Sequence, residues 1–363
     1  MFTTISKNIR FALLLFSFGA VVASCNKALE TPAGTTPSTD LTLGDKVNTD
    51  PNYSIFKAAL TRTGLLSTIS TRNTSFTIFA PDNNAFIASG LSLATVNALP
   101  LTTLTPLIQY HIIPTNLLNG SGIVHPFPNL YMPSMLQIAT ISGLPIRMDI
   151  FPAKNGANYF VNNMPIVQID AVTGVNGVMH RVPFIVQPPS SLMVKQLIAS
   201  DANLTLFAAM VQRADVGQPA GLSRLDSVMN YAVANITVFA PNNTSIKGLI
   251  NLLSGGAVPL GAPDATFIGF INANVPVATA RGVVAYHMLG SRAFSVNLPL
   301  STSTIETLIG PSPFPQLTVD RSTANPRLLG AANGAGNYSN FVAVDRLGVN
   351  GVLHVIDRVL LPQ

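Results

Sequence analysis

Four of the five histidines have a residue type and a spacing that could do chemistry. An imidazole can act as a general acid or base near neutral pH, or bind a metal ion. They form two pairs, whose members are 69 residues apart in the first pair and 67 in the second. Neither pair is accompanied by a third histidine or an Asp/Glu pattern, so the spacing does not predict a zinc site. We predict structural hydrogen bonding for all four, and no metal or cofactor. They are His111, His180, His287 and His354.

Sequence motifs of the common enzyme classes are missing. The chain has no GxSxG, no HExxH and no glycine-rich phosphate loop between a strand and a helix. Its 15 acidic residues are scattered, so we predict no catalytic residues. The 20 basic residues give a net charge of +5 without a cluster, which predicts no nucleic-acid partner.

The histidines belong to three short motifs that occur twice in the same order. The first is TIFAPDN in one copy and TVFAPNN in the other, the second is YH, and the third is NGVMH or NGVLH. Ordered motifs that recur at domain-sized spacing indicate two copies of one structural unit. We predict that the motif residues are structural. They are Phe79, Ala80, Pro81, Asn83, Tyr110, His111, Asn176, Gly177 and His180 in the first copy, and Phe239, Ala240, Pro241, Asn243, Tyr286, His287, Asn350, Gly351, His354 and Asp357 in the second.

The first two motifs predict elements that position these side chains. Alternating residues before the proline predict a short strand, which the proline ends because it has no N–H. Asp82 and Asn242 then suit a helix cap, and the asparagine that follows each is expected to bond the turn backbone. Apolar residues at the spacing of a helix face predict a helix that delivers Tyr110 and His111 to its end.

The third motif predicts a turn followed by an interior strand. An Asn-Gly pair between β-rich segments is a strong tight-turn pattern, and we expect Asn176 and Asn350 to supply a positive φ. The residues that follow are apolar on both faces, as in the middle of a sheet.

These motifs resemble those of the fasciclin, or FAS1, domain family. The pattern TxFAPxNxAF is complete in the first copy, and NGxxHxIDxVL is complete in the second. The resemblance covers about residues 51–363, but Ser245-Ile246 and Pro183 depart from it. It implies an α+β fold of two tandem FAS1-like domains, each a β-sandwich-like core of short strands with helices packed at one side. It also implies extracellular or surface-anchored modules that serve cell adhesion and contact with matrix or polysaccharide.

The N-terminus resembles that of a bacterial lipoprotein. A short basic segment precedes 13 apolar residues, too few to span a bilayer, and small residues then lead to Cys25. We predict a signal peptide at 1–24, lipid attachment at Cys25, and a flexible tether over 25–50 that is rich in Pro, Gly and Thr. A multiply acylated cysteine would hold the chain at the outer membrane, either on its periplasmic side or on the cell surface.

The remaining chain is predicted to fold as two domains, 51–188 and 189–363. With 48% apolar and 10% charged residues, it can bury a core. We expect a non-catalytic adhesion or interaction module for protein or polysaccharide partners. The alternative is an accessory subunit of an outer-membrane glycan-capture complex. Recognition is expected on two segments, Phe151–Asn158 and Ser254–Pro263, the second of which is expected to hold about 16 residues that the first copy lacks.

Overall fold

The computed structural model describes residues 40–114, 118–123, 127, 131–189 and 192–363. Residues 41–363 form one compact unit that contains both sequence copies. The predicted signal peptide, Cys25 and most of the predicted tether lie outside the described residues. The prediction of a flexible tether is wrong for its last part, because Leu43–Thr49 forms a helix whose Leu43 and Val47 are buried in the core of copy one.

Copy one begins with helices and continues into strands. Its first strand lies between the third and fourth helices, and a two-residue turn joins its last two strands. The helices are α1 (Leu43–Thr49), α2 (Ser54–Arg62), α3 (Leu65–Thr68), α4 (Asn83–Ala88), α5 (Leu93–Ala98) and α6 (Leu101–Tyr110). The strands are β1 (Phe76–Pro81), β2 (Ile112–Pro114), β3 (Met132–Ile141), β4 (Leu144–Ile150), β5 (Pro152–Asn155), β6 (Asn158–Val161), β7 (Met164–Pro165), β8 (Gln168–Gly174) and β9 (Gly177–Val182).

Copy two repeats this order of elements. A short 3-10 helix at Ser295–Asn297 precedes its later strands. The helices are α7 (Val194–Ala199), α8 (Thr205–Ala214), α9 (Leu225–Val228), α10 (Asn243–Leu253), α11 (Asp264–Asn274) and α12 (Val277–Tyr286). The strands are β10 (Ile236–Pro241), β11 (Met288–Leu289), β12 (Ser303–Ile305), β13 (Leu317–Asp320), β14 (Arg327–Leu329), β15 (Ser339–Gly348) and β16 (Gly351–Ile356).

The central sheet has the same topology in both copies. Its order is β2-β1-β9-β8 in copy one, and β11-β10-β16-β15 opens the seven-stranded sheet of copy two. The first strand of each copy pairs in parallel with the last, so residue 76 lies opposite 177 and residue 236 opposite 351. The last strand is therefore interior, as the apolar pattern of both its faces predicts.

Each central sheet separates two apolar layers. In copy one, alternate residues of β1 face different clusters: Phe76, Ile78 and Ala80 pack with the helices, and Phe79 packs with Ile150 and Val161 of the other strands. Copy two divides in the same way around β10. Helices lie at one side of the sheet and further strands at the other, which confirms the predicted α+β class.

The extra residues of copy two are distributed differently from the prediction. The helix after the first strand has 6 residues in copy one and 11 in copy two, and the next helix again has 6 and 11. The connection Ser254–Pro263 thus holds only part of the extra length, and two lengthened helices hold the rest. The prediction that this segment contains the whole insertion is wrong, because the Gly/Pro pattern marks only the turn between the helices.

No single helix among the described residues is long and apolar enough to cross a membrane. The pair α11 and α12 meets the test of length and composition together, but the two helices are bent by 116°. Phe267, Ile271 and Val284 of this pair are buried within the core of copy two.

Candidate interaction surface

The histidine of each Tyr-His pair is a bridge between backbone groups. The Nδ1–H of His111 donates to the Leu107 carbonyl at 2.7 Å, and its Nε2 accepts from the Val186 N–H at 2.9 Å. His287 repeats both bonds with Val283 and Leu360, at 2.7 and 3.0 Å. Burial lowers the pKa of both histidines to about 4, so they are neutral at physiological pH.

The second histidine of each copy carries its proton on the other nitrogen. The Nε2–H of His180 donates to the Leu118 carbonyl at 2.7 Å, and its Nδ1 accepts from the Asp170 N–H at 3.0 Å. His354 makes the matching bonds to the Ala293 carbonyl and the Asp345 N–H, at 2.9 and 3.3 Å. Burial also lowers the pKa of these two rings.

Sequence reasoning missed the aspartates beside these rings. The Oδ1 of Asp170 lies 3.5 Å from Nδ1 of His180, and that of Asp345 lies 4.0 Å from Nδ1 of His354. No Asp/Glu pattern indicates these aspartates in the sequence, yet one lies beside each of the two rings. Both aspartates have a positive φ, near 50° and 59°, at irregularities in the β8–β9 and β15–β16 pairing. Each stands nine or ten residues before its histidine, and this shared spacing could have revealed them.

These aspartates hold a loop against the sheet. Both carboxylate oxygens of Asp170 accept from the Gly120 N–H, at 3.0 and 3.1 Å. The carboxylate of Asp345 accepts from the N–H and the hydroxyl of Ser295, at 2.7 and 2.5 Å. The histidine and aspartate thus serve as a structural support. Among the described residues, no group of three or more His, Cys, Asp or Glu side chains could hold a metal ion.

The asparagine of each Asn-Gly pair joins three segments of its domain. The Oδ1 of Asn176 accepts from the Leu43 N–H at 2.8 Å, and its Nδ2 donates to the carbonyls of Ile69 and Thr71, both at 2.7 Å. Asn350 does the same with Val194, Met229 and Tyr231. Neither asparagine has a positive φ, so that prediction is wrong. Long-range bonds of the amide, and not the turn conformation, require this residue type.

The glycine that follows lies against the neighbouring strand. A Cβ on Gly177 would stand 2.2 Å from the Phe76 carbonyl oxygen, and one on Gly351 would stand 2.4 Å from that of Ile236. Any side chain would therefore push the paired parallel strands apart.

The proline motif caps one helix and fastens another. Asp82 accepts from the Ala85 N–H at 2.8 Å, and Asn242 accepts from the Ser245 N–H at 2.9 Å, as predicted for helix caps. The expectation that the next asparagine bonds its own turn is wrong. The Oδ1 of Asn83 accepts from the distant Ile55 N–H at 3.0 Å.

The second copy of the motif makes the same long-range contact. The Oδ1 of Asn243 accepts from the Leu206 N–H at 3.0 Å, so each asparagine anchors the start of an earlier helix. The residues before it are buried in the central strand: Phe79, Ala80 and Pro81 in copy one, and Phe239, Ala240 and Pro241 in copy two.

The tyrosines and Asp357 also bond within their own domains. The hydroxyl of Tyr110 donates to the Asp149 carbonyl at 3.0 Å, and that of Tyr286 donates to the Gln316 carbonyl at 2.7 Å. Asp357 accepts from both the N–H and the Nδ2 of Asn340, at 2.7 and 2.9 Å. Copy one has Pro183 at this position, which has no carboxylate to accept these two hydrogen bonds.

The two copies meet at an aromatic and cationic junction. Phe151 of copy one lies edge-to-face with Phe294 of copy two, at 5.5 Å between ring centroids. The guanidinium of Arg292 stands 4.5 Å from the centre of the Phe151 ring. Its Nε donates to the Asn235 Oδ1 at 2.9 Å, and burial lowers its pKa to about 10, so it stays charged at neutral pH.

The junction changes the interpretation of Phe151–Asn158. The sequence predicts a recognition loop here, but the segment starts at the buried Phe151 and continues into the β5–β6 hairpin. The Nδ2 of Asn155 donates across the junction to the Val296 carbonyl at 2.6 Å. Because an aromatic residue opens the segment, burial against a second aromatic surface stabilises it better than exposure to water.

The other candidate segment remains accessible. Ser254–Pro263 joins α10 to α11, and Leu252, Leu253 and Leu260 around it are 76%, 68% and 57% exposed. Beside α10 lies an apolar groove of about 240 Å³, whose walls include Leu249 and Val359. Exposed apolar surface of this kind is typical of contact surfaces.

The fold and the internal use of the motif side chains define a tandem α+β repeat protein. The fasciclin domain model matches residues 51–188 and 202–362. The chain therefore belongs to the fasciclin domain family and carries two FAS1 domains in tandem. FAS1 domains are generally non-catalytic adhesion or interaction modules.

One solved structure matches most of this chain. It is a FAS1 domain pair from the insect cell adhesion molecule Fasciclin I, 16% identical to this chain. The match covers 85% of this chain and 95% of that chain, with a TM-score of 0.35.

Proposed function

We propose that this chain is a FAS1 lipoprotein of a bacterial envelope that binds protein or polysaccharide partners without chemical conversion. The observation that carries the proposal is the occupation of both ring nitrogens of all four paired histidines by backbone groups. Neutral imidazoles held in this way support a fold and leave recognition to the outer surface.

The surface available for recognition has few charges. The stretch from 248 to 263 contains no Asp, Glu, Lys or Arg, and it carries the exposed leucines at the end of α10 and in the connection to α11. A surface of this composition binds through apolar contact and hydrogen bonds, which suits neutral polymers and protein surfaces.

Binding is tested with a chain that starts at Asn26 and retains the whole compact unit. It is immobilised and exposed to intact cells, envelope extract and purified envelope polysaccharide. Saturable retention of one of these supports the adhesive function. No retention of any of them contradicts it.

The anchor is a separate part of the proposal. The residues that precede Cys25 have the composition of a lipoprotein export signal, and several acyl chains on one cysteine give stable membrane attachment. A Cys25→Ser variant should move from the membrane fraction to the soluble fraction. Protease treatment of intact cells then distinguishes surface display, in which the protein is degraded, from the periplasmic side, in which it survives.

A further inference from the structure

An open cleft of about 460 Å³ lies where the two domains meet. Asn155 at the end of β5 forms its wall from copy one, and copy two supplies the rest, including Arg321 and Phe341. Small-molecule sites have volumes of roughly 300–1,000 Å³ and are found preferentially at domain interfaces. The cleft therefore has the size and the position of a ligand site.

Some polar atoms of the cleft make hydrogen bonds within the protein, and others remain available to a ligand. The Nε of Arg321 donates to the Pro299 carbonyl at 2.7 Å, which fixes the guanidinium, and Nη1 has no partner among the described residues. The side chain of Asn325 likewise has none within the described part of the chain. Arg321 thus supplies a fixed donor, and Asn325 supplies both a donor and an acceptor.

Two further amides add acceptors. Asn155 and Asn340 each commit Nδ2, to the Val296 carbonyl and to Asp357, and each keeps Oδ1 as an acceptor. The residues that line the cleft therefore supply both donors and acceptors. A sulfate or phosphate needs several converging donors, and the two amide oxygens would oppose it.

Phe341 supplies the apolar element. Its ring is held edge-on by Phe239 at 6.0 Å and by His354 at 5.5 Å between ring centroids, and it is only partly buried. A fixed aromatic ring that borders a cleft offers an electron-rich face to C–H groups. A pyranose has an apolar C–H face and a rim of hydroxyls, each of which is both a donor and an acceptor.

We propose that the junction cleft binds one or two sugar residues of a neutral polysaccharide. The sugar ring lies against Phe341, and its hydroxyls bond Arg321, Asn325 and the two amide oxygens. This inference rests on the proposed adhesive function and specifies one ligand class and its site.

The test uses the chain from Asn26 to Gln363 and neutral disaccharides at millimolar concentration: maltose, cellobiose, mannobiose and N,N′-diacetylchitobiose. Saturation-transfer NMR detects binding, and calorimetry measures affinity. Val344→Trp places an indole in the cleft, which Val344 lines. Val342→Trp is the matched control, because Val342 is on the same strand, is 59% exposed and does not line the cleft.

The expected result is binding of at least one disaccharide, abolished by Val344→Trp and unchanged by Val342→Trp. Asn325→Ala should weaken it about tenfold, as loss of one or two hydrogen bonds predicts. Binding that survives Val344→Trp and Asn325→Ala overturns the site and leaves the adhesive function standing. Absence of binding by every disaccharide overturns the sugar assignment, whereas retention on cells would still support adhesion.

Discussion

The Nε2 atom of His111 accepts a hydrogen bond from the backbone N–H of Val186 across 75 residues of sequence. His287 and Leu360 repeat the bond across 73 residues. Each bond ties the end of a helix to the segment that follows the last strand. A protonated ring could not accept it, so the fold of both domains depends on two neutral imidazoles.

Stability should therefore fall as the pH is lowered from 6.5 towards 4. The unfolded chain takes up protons on these histidines near pH 6.5, whereas in the folded chain their pKa is about 4. Below pH 6.5 the unfolded state binds more protons, so the stabilisation present at pH 7 is progressively lost. At about 1.4 kcal/mol per pKa unit, each histidine contributes up to about 3 kcal/mol.

Urea unfolding at pH 7.5, 6 and 5 measures this loss. Most carboxylates, with ordinary pKa values of about 4, remain ionised over that range, so they do not mask the effect. An unfolding free energy that is constant from pH 7.5 to 5 would contradict the predicted burial of both rings.

Asn176→Ala should destabilise the first domain by about 3 kcal/mol or more. The change removes three hydrogen bonds and leaves the Leu43 N–H without a partner in a buried site, while the Ile69 carbonyl keeps only its bond from the Gly44 N–H. Asn84→Ala is the control, because Asn84 is exposed, and it should shift stability by less than about 0.5 kcal/mol. Chemical denaturation measures both. Equal effects of the two variants would refute the bridging role.

Two glycine substitutions should change the stability of the second domain in opposite directions. Gly351→Ala should destabilise the second domain, because its Cβ would stand 2.4 Å from the Ile236 carbonyl oxygen. Gly248→Ala should stabilise it by about 0.5–1 kcal/mol, because Gly248 lies within α10 with no atom near its added Cβ. Thermal unfolding measures both changes in melting temperature. An unchanged melting temperature for Gly351→Ala would show that the paired strands can move apart without loss of stability.

Phe151→Ala should weaken the junction between the domains. Truncation of a buried phenylalanine costs about 3–5 kcal/mol, and here it also removes the ring beneath Arg292. We expect calorimetry of the wild-type chain to show one unfolding transition, and that of the variant to show two. Phe184→Ala, at a site 48% exposed, should retain the single transition. Two transitions in the wild-type chain would contradict strong coupling.

Local features of the fold could be predicted from sequence because neighbouring residues determine them. The strand before Pro81, the cap at Asp82 and the helix that ends at Tyr110 all follow from residues within a few positions. The repetition of the three motifs then predicts two domains.

Long-range features could not be predicted in this way. The amide partners of Asn176 lie between 105 and 133 residues away, and nothing near the Asn-Gly pair identifies them. The junction at Phe151 joins surfaces that occur once, so the repeat does not reveal it. The division of the extra residues between two helices and a turn depends on packing.

The contacts of Asn176 also determine how the first domain carries load. The Val175 N–H donates to the Leu41 carbonyl at 3.1 Å, next to the bond between Asn176 and the Leu43 N–H. Tension applied to the chain ahead of Leu41 is therefore resisted first at the turn between β8 and β9. The Nδ2 of Asn176 also donates to the Ile69 and Thr71 carbonyls, which follow α3. The force is therefore transmitted to the helical layer before α1 separates from the domain.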